Sequence, residues 1–201
     1  MVKEPRAGRV KTRLARDLGL IQATRWYRHE ALRTLRRLAD PRWQIVLAVT
    51  PDAAVSTSRF WPAELPRIPQ GGGDLGQRMA RALRACAPHP TCLIGSDIPG
   101  IEKRHIAAGF AALGSHSACL GPATDGGYWL IGLRHPARQP SGFLRNVRWS
   151  TRWARQDTIA SAKSLNWAGL ETLSDIDSGA DFSAFYVDRG CSGTLAGGDR
   201  S

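Results

Sequence analysis

Three loops combine charged side chains with glycines in patterns that suit phosphate or metal chemistry. The first, residues 5–14 (PRAGRVKTRL), carries Arg6, Gly8, Lys11 and Arg13 just before a predicted helix. A glycine permits close backbone approach, and two cations at a helix N-terminus attract anions. The pattern predicts a phosphate-binding loop, although the spacing of a P-loop, G-x-x-x-x-G-K-[ST], is absent. A basic turn without a ligand is the alternative.

The second loop, residues 95–100 (GSDIPG), places Asp97 directly after a predicted buried strand. Mg²⁺ favours one or two carboxylates together with phosphate oxygens, so Asp97 is a candidate metal ligand. The alternative is that Asp97 caps the helix that follows.

The third loop contains Asp125, Gly126, Gly127 and Tyr128 between two apolar segments. These glycines leave an open wall on which a sugar-like substrate could lie, with Asp125 binding its hydroxyls. An ordinary hairpin turn is an equal alternative.

Two further groups could complete a pocket. Arg78 lies at the start of a predicted helix, where its guanidinium could bind a phosphate or a base. Asp175 and Asp177 lie on one face of a predicted extended segment, and either could be a second metal ligand; a helix N-cap is the alternative.

The elements that must position these loops alternate between strands and helices. Short apolar runs predict buried strands, and amphipathic runs predict helices between them. This alternation indicates an α/β domain with a largely parallel sheet covered on both faces, whose ligands gather beyond the carboxyl ends of the strands. The strands are predicted at 44–49, 91–95, 117–120 and 128–133, and the helices at 14–18, 21–39, 75–87, 102–113 and 152–162, with Ser178–Phe185 closing the fold.

The excess of basic residues indicates what kind of partner the protein binds. The 201 residues include 28 Lys and Arg against 17 Asp and Glu, and residues 1–42 alone hold 12 of the former and 4 of the latter. This excess suits an anionic partner. Because no aromatic residues are interleaved as in a nucleic-acid motif, we interpret the helical arginines as a solvated face and expect no nucleic-acid partner.

The sequence also contains no apolar run long enough to span a membrane and no signal-peptide pattern. We therefore expect a cytoplasmic protein without a membrane partner. The four cysteines form no C-x-x-C pair and are expected to be reduced. We predict a single domain over residues 1–188 and a disordered Gly/Ser-rich tail over 189–201.

Six segments carry a resemblance to a known family, and they occur in order along nearly the whole chain: KEPRAGRVKTRLA (3–15), GGDLGQRM (72–79), GSDIP (95–99), LGPATDGGYWLIGL (120–133), WST (149–151) and LSDIDS (173–178). On these segments the sequence resembles the DUF2064 family, also described as radical-SAM/selenodomain-associated transferase 1. That family belongs to the nucleotide-diphospho-sugar transferase superfamily, which has the GT-A fold. The resemblance implies a three-layer α/β/α domain.

The resemblance also implies roles for individual residues. Lys11 and Arg13 would meet the nucleotide phosphates, Asp97 and Asp177 would hold Mg²⁺ or Mn²⁺, and Asp125 with its glycines would shape the acceptor side. The implied function is glycosyl transfer from a nucleotide-diphospho-sugar to an unknown small-molecule acceptor. The alternatives are nucleotidylyl transfer from a nucleoside triphosphate, as in phospholactate guanylyltransferase, and a nucleotide-binding module without activity.

Two departures from the family pattern bear on these expectations. Only Met1 and Val2 precede Lys3, where the family has an apolar first strand, so we expect that strand to be truncated. Either the true start lies upstream or the chain lacks the strand. Gly100 also replaces a residue that is often acidic in the family, which leaves Asp97 with fewer protein partners for a metal.

Overall fold

The computed structural model describes residues 1–96 and 98–173. The predictions for Asp97, for Asp177, for the closing segment Ser178–Phe185 and for the tail 189–201 lie outside the described residues. The same holds for the last part of the predicted domain, residues 174–188.

Helices and strands alternate along the described chain, as expected. The strands are β1 (Val2–Lys3), β2 (Leu47–Thr50), β3 (Arg67–Pro69), β4 (Thr91–Ile94), β5 (Ala118–Pro122), β6 (Tyr128–Leu133) and β7 (Trp167–Gly169). The helices are α1 (Leu14–Leu18), α2 (Leu20–Leu38), α3 (Ala54–Thr57), α4 (Leu75–Ala85), α5 (Lys103–Ala112) and α6 (Ala154–Ala160). Sequence patterns did not predict β3, α3 or β7.

The strands form two sheets in which parallel pairs outnumber antiparallel ones. The first sheet has the order β1-β2-β3 and is parallel throughout. The second has the order β4-β6-β5-β7, in which β6 runs antiparallel to both of its neighbours and β5 pairs with β7 in parallel. The amino group of Met1 donates a hydrogen bond to the Ile94 carbonyl at 2.6 Å, which places β1 beside β4 where the sheets meet.

The first strand is short but present. Val2 pairs with Val49 and Lys3 with Thr50, so β1 spans two residues. Val2 is buried, and the phenol oxygen of Tyr27 accepts a hydrogen bond from the backbone N–H of Lys3 at 3.0 Å. The alternative that the chain lacks this strand is therefore wrong.

Helices cover both faces of the second sheet. Neighbouring residues of a strand point to opposite faces, so their packing partners show what covers each face. Leu130 of β6 packs in one buried cluster with Ile106 of α5 and Leu38 of α2. Ile131, the next residue, packs in another cluster with Leu83 of α4. This arrangement confirms the three-layer α/β/α expectation. No helix among residues 1–96 and 98–173 is long and apolar enough to cross a membrane.

Candidate functional site

A cavity of about 540 Å³ lies at the carboxyl ends of β1 and β4. Its wall includes Lys3 at the end of β1, Gly95 and Ser96 after β4, and the loop between β5 and β6. Ligands of open α/β sheets bind at these strand ends, so the cavity lies where the fold predicts it.

The basic loop, residues 5–13, reaches this cavity through Lys11. Val10 and Leu14 are buried on either side of Lys11 and hold the loop against the domain. Lys11 has a φ of 46°, a left-handed conformation that is rare outside glycine, and its Nζ lies 5.6 Å from the centre of the Trp26 ring. Strained residues of this kind cluster at functional sites, which makes Lys11 a candidate for one. Of the residues of this loop, Val10 and Lys11 line the cavity.

The other predicted residues of the basic loop lie elsewhere. Arg6, Gly8 and Arg13 are exposed and are not among the residues that line the cavity. Gly8 has a φ of 74°, a conformation that glycine adopts readily, and it forms part of the turn that precedes Lys11. The structure therefore brings Lys11 to the cavity but leaves Arg6 and Arg13 on the surrounding surface.

Arg78 enters the cavity from the first turns of α4. This helix begins with a capping box, in which Gln77 N–H donates to the Asp74 carboxylate at 2.8 Å and Asp74 N–H donates to Gln77 Oε1 at 3.1 Å. The box fixes where the helix starts and hence which residues of its first turns face the cavity. The Arg78 guanidinium donates to Gln70 Oε1, while its Nε–H is buried without a partner among the described residues.

Gln70 is a residue of the cavity wall that the sequence patterns missed. It follows β3, is only 1% exposed, and donates from Nε2 to the carbonyl oxygens of Val2 at 3.0 Å and Ala48 at 2.7 Å. One side chain thus joins β1 and β2 to Arg78. A lone glutamine within a proline-rich stretch carries no recognisable motif, so only the short strand β3, had it been predicted, could have drawn attention to it.

The loop between β5 and β6 supplies the acidic side of the cavity. Asp125, Gly127 and Tyr128 line it, and Asp125 Oδ1 accepts a hydrogen bond from Gly127 N–H at 2.8 Å. Gly126 does not line the cavity; it has a φ of 88° and a Cβ there would lie 2.5 Å from the Arg152 carbonyl oxygen. The segment is thus a hairpin turn, one of the two alternatives, and also a wall of the cavity.

Tyr128 lies at the buried end of this wall. Burial raises the pKa of its phenol well above the usual range, and Thr158 donates a hydrogen bond to its oxygen at 3.2 Å. The phenol therefore stays protonated at physiological pH. Its O–H donates to Met79 Sδ at 4.0 Å, so the phenol is held within the wall and does not act as an anionic base.

The residues that could hold a metal are only partly described. Asp97 and Asp177 lie outside the described residues, but Gly95 and Ser96 line the cavity, and Asp125 contributes a carboxylate to the same wall. Residues 1–96 and 98–173 contain no group of three or more His, Cys, Asp or Glu side chains that could hold a metal ion. Helix α5 has Glu102 at its N-cap position.

Comparison with solved structures supports this architecture. A protein of Desulfovibrio desulfuricans G20, provisionally named a nucleotide-diphospho-sugar transferase, is 27% identical, with a TM-score of 0.83 over 96% of this chain and 86% of that one. The homologue of Mycobacterium tuberculosis rv0371c from Mycobacterium sp. strain JC1 is 14% identical, with a TM-score of 0.52 over 81% of this chain and 82% of that one, and shares the fold alone.

Comparison of the sequence with family models assigns the family. No curated protein matches the chain. Residues 34–151, more than half of the chain, match the model described as "Uncharacterized protein conserved in bacteria (DUF2064)". The chain therefore belongs to the DUF2064 family and has the fold of the nucleotide-diphospho-sugar transferase superfamily.

Proposed function

We propose that this protein is a transferase that binds a nucleotide-diphospho-sugar and passes the sugar to a small-molecule acceptor. The observation that carries the proposal is the convergence of Lys11, Arg78 and Asp125 on one cavity at the strand ends. The provisional naming of the Desulfovibrio protein supports the same class of reaction.

The two cations suit the diphosphate of such a donor. Lys11 offers a point charge from the basic loop, and Arg78 offers a planar guanidinium whose orientation is fixed by Gln70. Arg78 lines the cavity, so the part of its guanidinium that faces the opening can donate hydrogen bonds to a phosphate oxygen. Both groups would stabilise the negative charge that develops on the leaving nucleoside diphosphate.

Asp125 faces the same cavity and suits the acceptor or the sugar. Its carboxylate can accept hydrogen bonds from hydroxyl groups, and the turn at Gly126 and Gly127 keeps it beside the open wall. Asp125 within hydrogen-bond reach of an acceptor hydroxyl could take its proton as the bond to the sugar forms.

We include Mg²⁺ or Mn²⁺ in the proposal, held by Asp97 and Asp177 with the donor phosphates. A bound divalent cation would neutralise phosphate charge. Two carboxylates together with phosphate oxygens suit such an ion, because these are the ligands that Mg²⁺ prefers.

The test is a panel of nucleotide sugars and nucleoside triphosphates with Mg²⁺, first by thermal stabilisation and then by product analysis. A ligand that binds the folded state raises its apparent stability even when turnover is slow. Release of a nucleoside diphosphate and transfer of the sugar would support the proposal. Release of pyrophosphate would replace it with nucleotidylyl transfer, for which the cationic loop is equally suited, and stabilisation without any product would indicate a binding module.

Variants connect the result to the site. Lys11→Ala and Asp97→Asn should lose most of the donor-induced stabilisation, whereas Arg134→Ala, beyond the opposite end of β6, should retain it. If the first two variants respond to every nucleotide as the parent does, the site assignment is wrong.

A further inference from the structure

The start of helix α2 exposes two aliphatic side chains beside a row of arginines. Leu20 is 53% exposed and Ile21 is 67% exposed, more than any other large apolar side chain in the described part of the chain. Burial of such side chains against a partner is favourable because it removes apolar surface from water. Arg25 and Arg28 follow on the same helix and are also exposed.

We call these four residues the α2 patch; Leu20 precedes Ile21 at the start of the helix, and the other three share one groove. Ile21, Arg25 and Arg28 recur at helical spacing and line a shallow groove of about 500 Å³ together with Ala7 of the basic loop. The Arg28 guanidinium lies 4.7 Å from the centre of the Phe60 ring, a cation–π contact that holds the charge at the groove edge.

The charge around the patch has one dominant sign. The exposed residues of the basic loop and α1 include Arg9, Arg13 and Arg16, with Asp17 as the acidic residue among them. Glu30 of α2 is buried, so its carboxylate adds little negative charge to this surface. The face therefore complements a dense layer of anions.

An anionic membrane surface matches both features of the patch. Phosphate headgroups would meet the arginines, while Leu20 and Ile21 would reach the boundary with the acyl chains. Nucleic acid would satisfy the charge but leave the exposed aliphatic pair without an apolar partner. A second copy of the chain would bury the pair but bring arginines against arginines.

We propose that the α2 patch docks the protein on the surface of membranes containing anionic phospholipids. From the lack of a spanning segment we expected no membrane partner, but binding at a membrane surface requires no such segment. The proposal is independent of the donor chemistry proposed for the cavity.

The test is co-sedimentation of the full chain with vesicles of two compositions. We expect binding to vesicles of phosphatidylcholine and phosphatidylglycerol mixed in equal parts, little binding to pure phosphatidylcholine, and release of the protein as salt is raised. Arg25→Gln with Arg28→Gln should weaken binding at least about tenfold, since each cation near an anionic surface contributes on the order of 1 kcal/mol.

The apolar half of the patch has its own pair of variants and matched controls. Leu20→Ser with Ile21→Ser should also weaken vesicle binding at least about tenfold. Ile159→Ser on α6 and Arg134→Gln after β6 change comparable exposed residues elsewhere and should bind as the parent does. Circular dichroism checks that each variant is folded.

Several results would overturn the proposal. Equal binding to both vesicle compositions would remove the role of the charge, and equal losses in the controls would remove the role of the patch. Tight binding to a DNA or RNA oligomer without binding to vesicles would identify nucleic acid as the partner. A concentration-dependent dimer that Leu20→Ser with Ile21→Ser abolishes, again without vesicle binding, would identify a second copy.

Discussion

The link between Gln70 and Arg78 makes a prediction that separates a functional arginine from a structural one. Arg78 donates to Gln70 Oε1, yet its Nε–H is buried without a partner among the described residues. Arg78→Met removes the hydrogen bond to Gln70 but also removes that unpaired donor. Each effect is worth about 1 to 3 kcal/mol and they oppose each other, so the free energy of unfolding should change by no more than about 2 kcal/mol in either direction.

Donor binding should respond much more strongly than stability. A hydrogen bond to a charged group contributes about 1.5 to 3 kcal/mol, so Arg78→Met should weaken nucleoside diphosphate binding roughly ten- to hundredfold. Isothermal titration calorimetry measures this affinity directly.

Gln70→Leu, unlike Arg78→Met, should lower the stability of the fold strongly. It removes hydrogen bonds to two buried carbonyl oxygens, those of Val2 and Ala48, and should cost about 2 to 5 kcal/mol of unfolding free energy. For a domain of this size that cost lowers the melting temperature by roughly 5 to 20 °C. Because the same side chain orients Arg78, nucleotide affinity should also fall when it is measured well below the melting temperature.

The double variant tests whether Gln70 acts through Arg78. If it does, Gln70→Leu weakens nucleotide binding in the parent but has little further effect in the Arg78→Met background. Two affinity losses that simply add would show that Gln70 and Arg78 act independently. Unchanged affinity in Arg78→Met would show that the guanidinium does not contact the nucleotide.

Three further predictions concern the glycines, the surface charges and the strained loop residue. Gly76→Ala should destabilise the protein by about 1 to 3 kcal/mol in thermal unfolding, because its Cβ would lie 2.3 Å from the Leu144 carbonyl oxygen; Gly72→Ala, with open space around it, is the control and should show no such loss. Arg148 lowers the pKa of Asp157 from 3.8 to about 2, so this pair stabilises the fold above pH 3.8 and its contribution is lost as the pH falls to about 2. Asp157→Asn should therefore reduce the fall in melting temperature between pH 3.8 and about 2. If the variant shows the same fall as the parent, the pair does not stabilise the fold. Lys11→Gly and Lys11→Ala should lose the same donor affinity. The glycine variant should be more stable than the alanine variant by about 1 kcal/mol, because glycine adopts a positive φ without strain. Equal melting temperatures of the two variants would show that this conformation carries no strain.

Much of the fold could be predicted because local patterns and packing agree. The amphipathic run predicts that α4 begins at residue 75, and the structure starts the helix there with a capping box between Asp74 and Gln77. The apolar run of β6 predicts its bounds because the strand is buried along most of its length. The Asp125 loop was predictable as a turn and as a candidate wall, and it is both.

Other features depend on contacts that a linear pattern does not contain. Strand β1 has two residues and one of them is a lysine, so its place beside β2 follows from pairing with Val49 and from the contact with Tyr27 rather than from hydrophobicity. Strand β3 is short and ends in Pro69, which an edge strand tolerates but which a sequence pattern indicates as a turn.

The site itself shows the same division. Residue types in the basic loop identified Lys11, but they could not separate Lys11 from Arg6 and Arg13, which the turn of the loop leaves away from the cavity. The hydrogen bonds of Gln70 join partners at Val2 and Ala48, which are distant in sequence, to Arg78 on the next helix.

The most direct test of the proposed donor site is a crystal structure of the protein with a nucleoside diphosphate and Mn²⁺. We predict the diphosphate in the cavity, in contact with Lys11 and with the Arg78 guanidinium, and the acceptor side open beside Asp125. A nucleotide bound elsewhere on the molecule, or bound in this cavity without contact to either cation, would contradict the proposal.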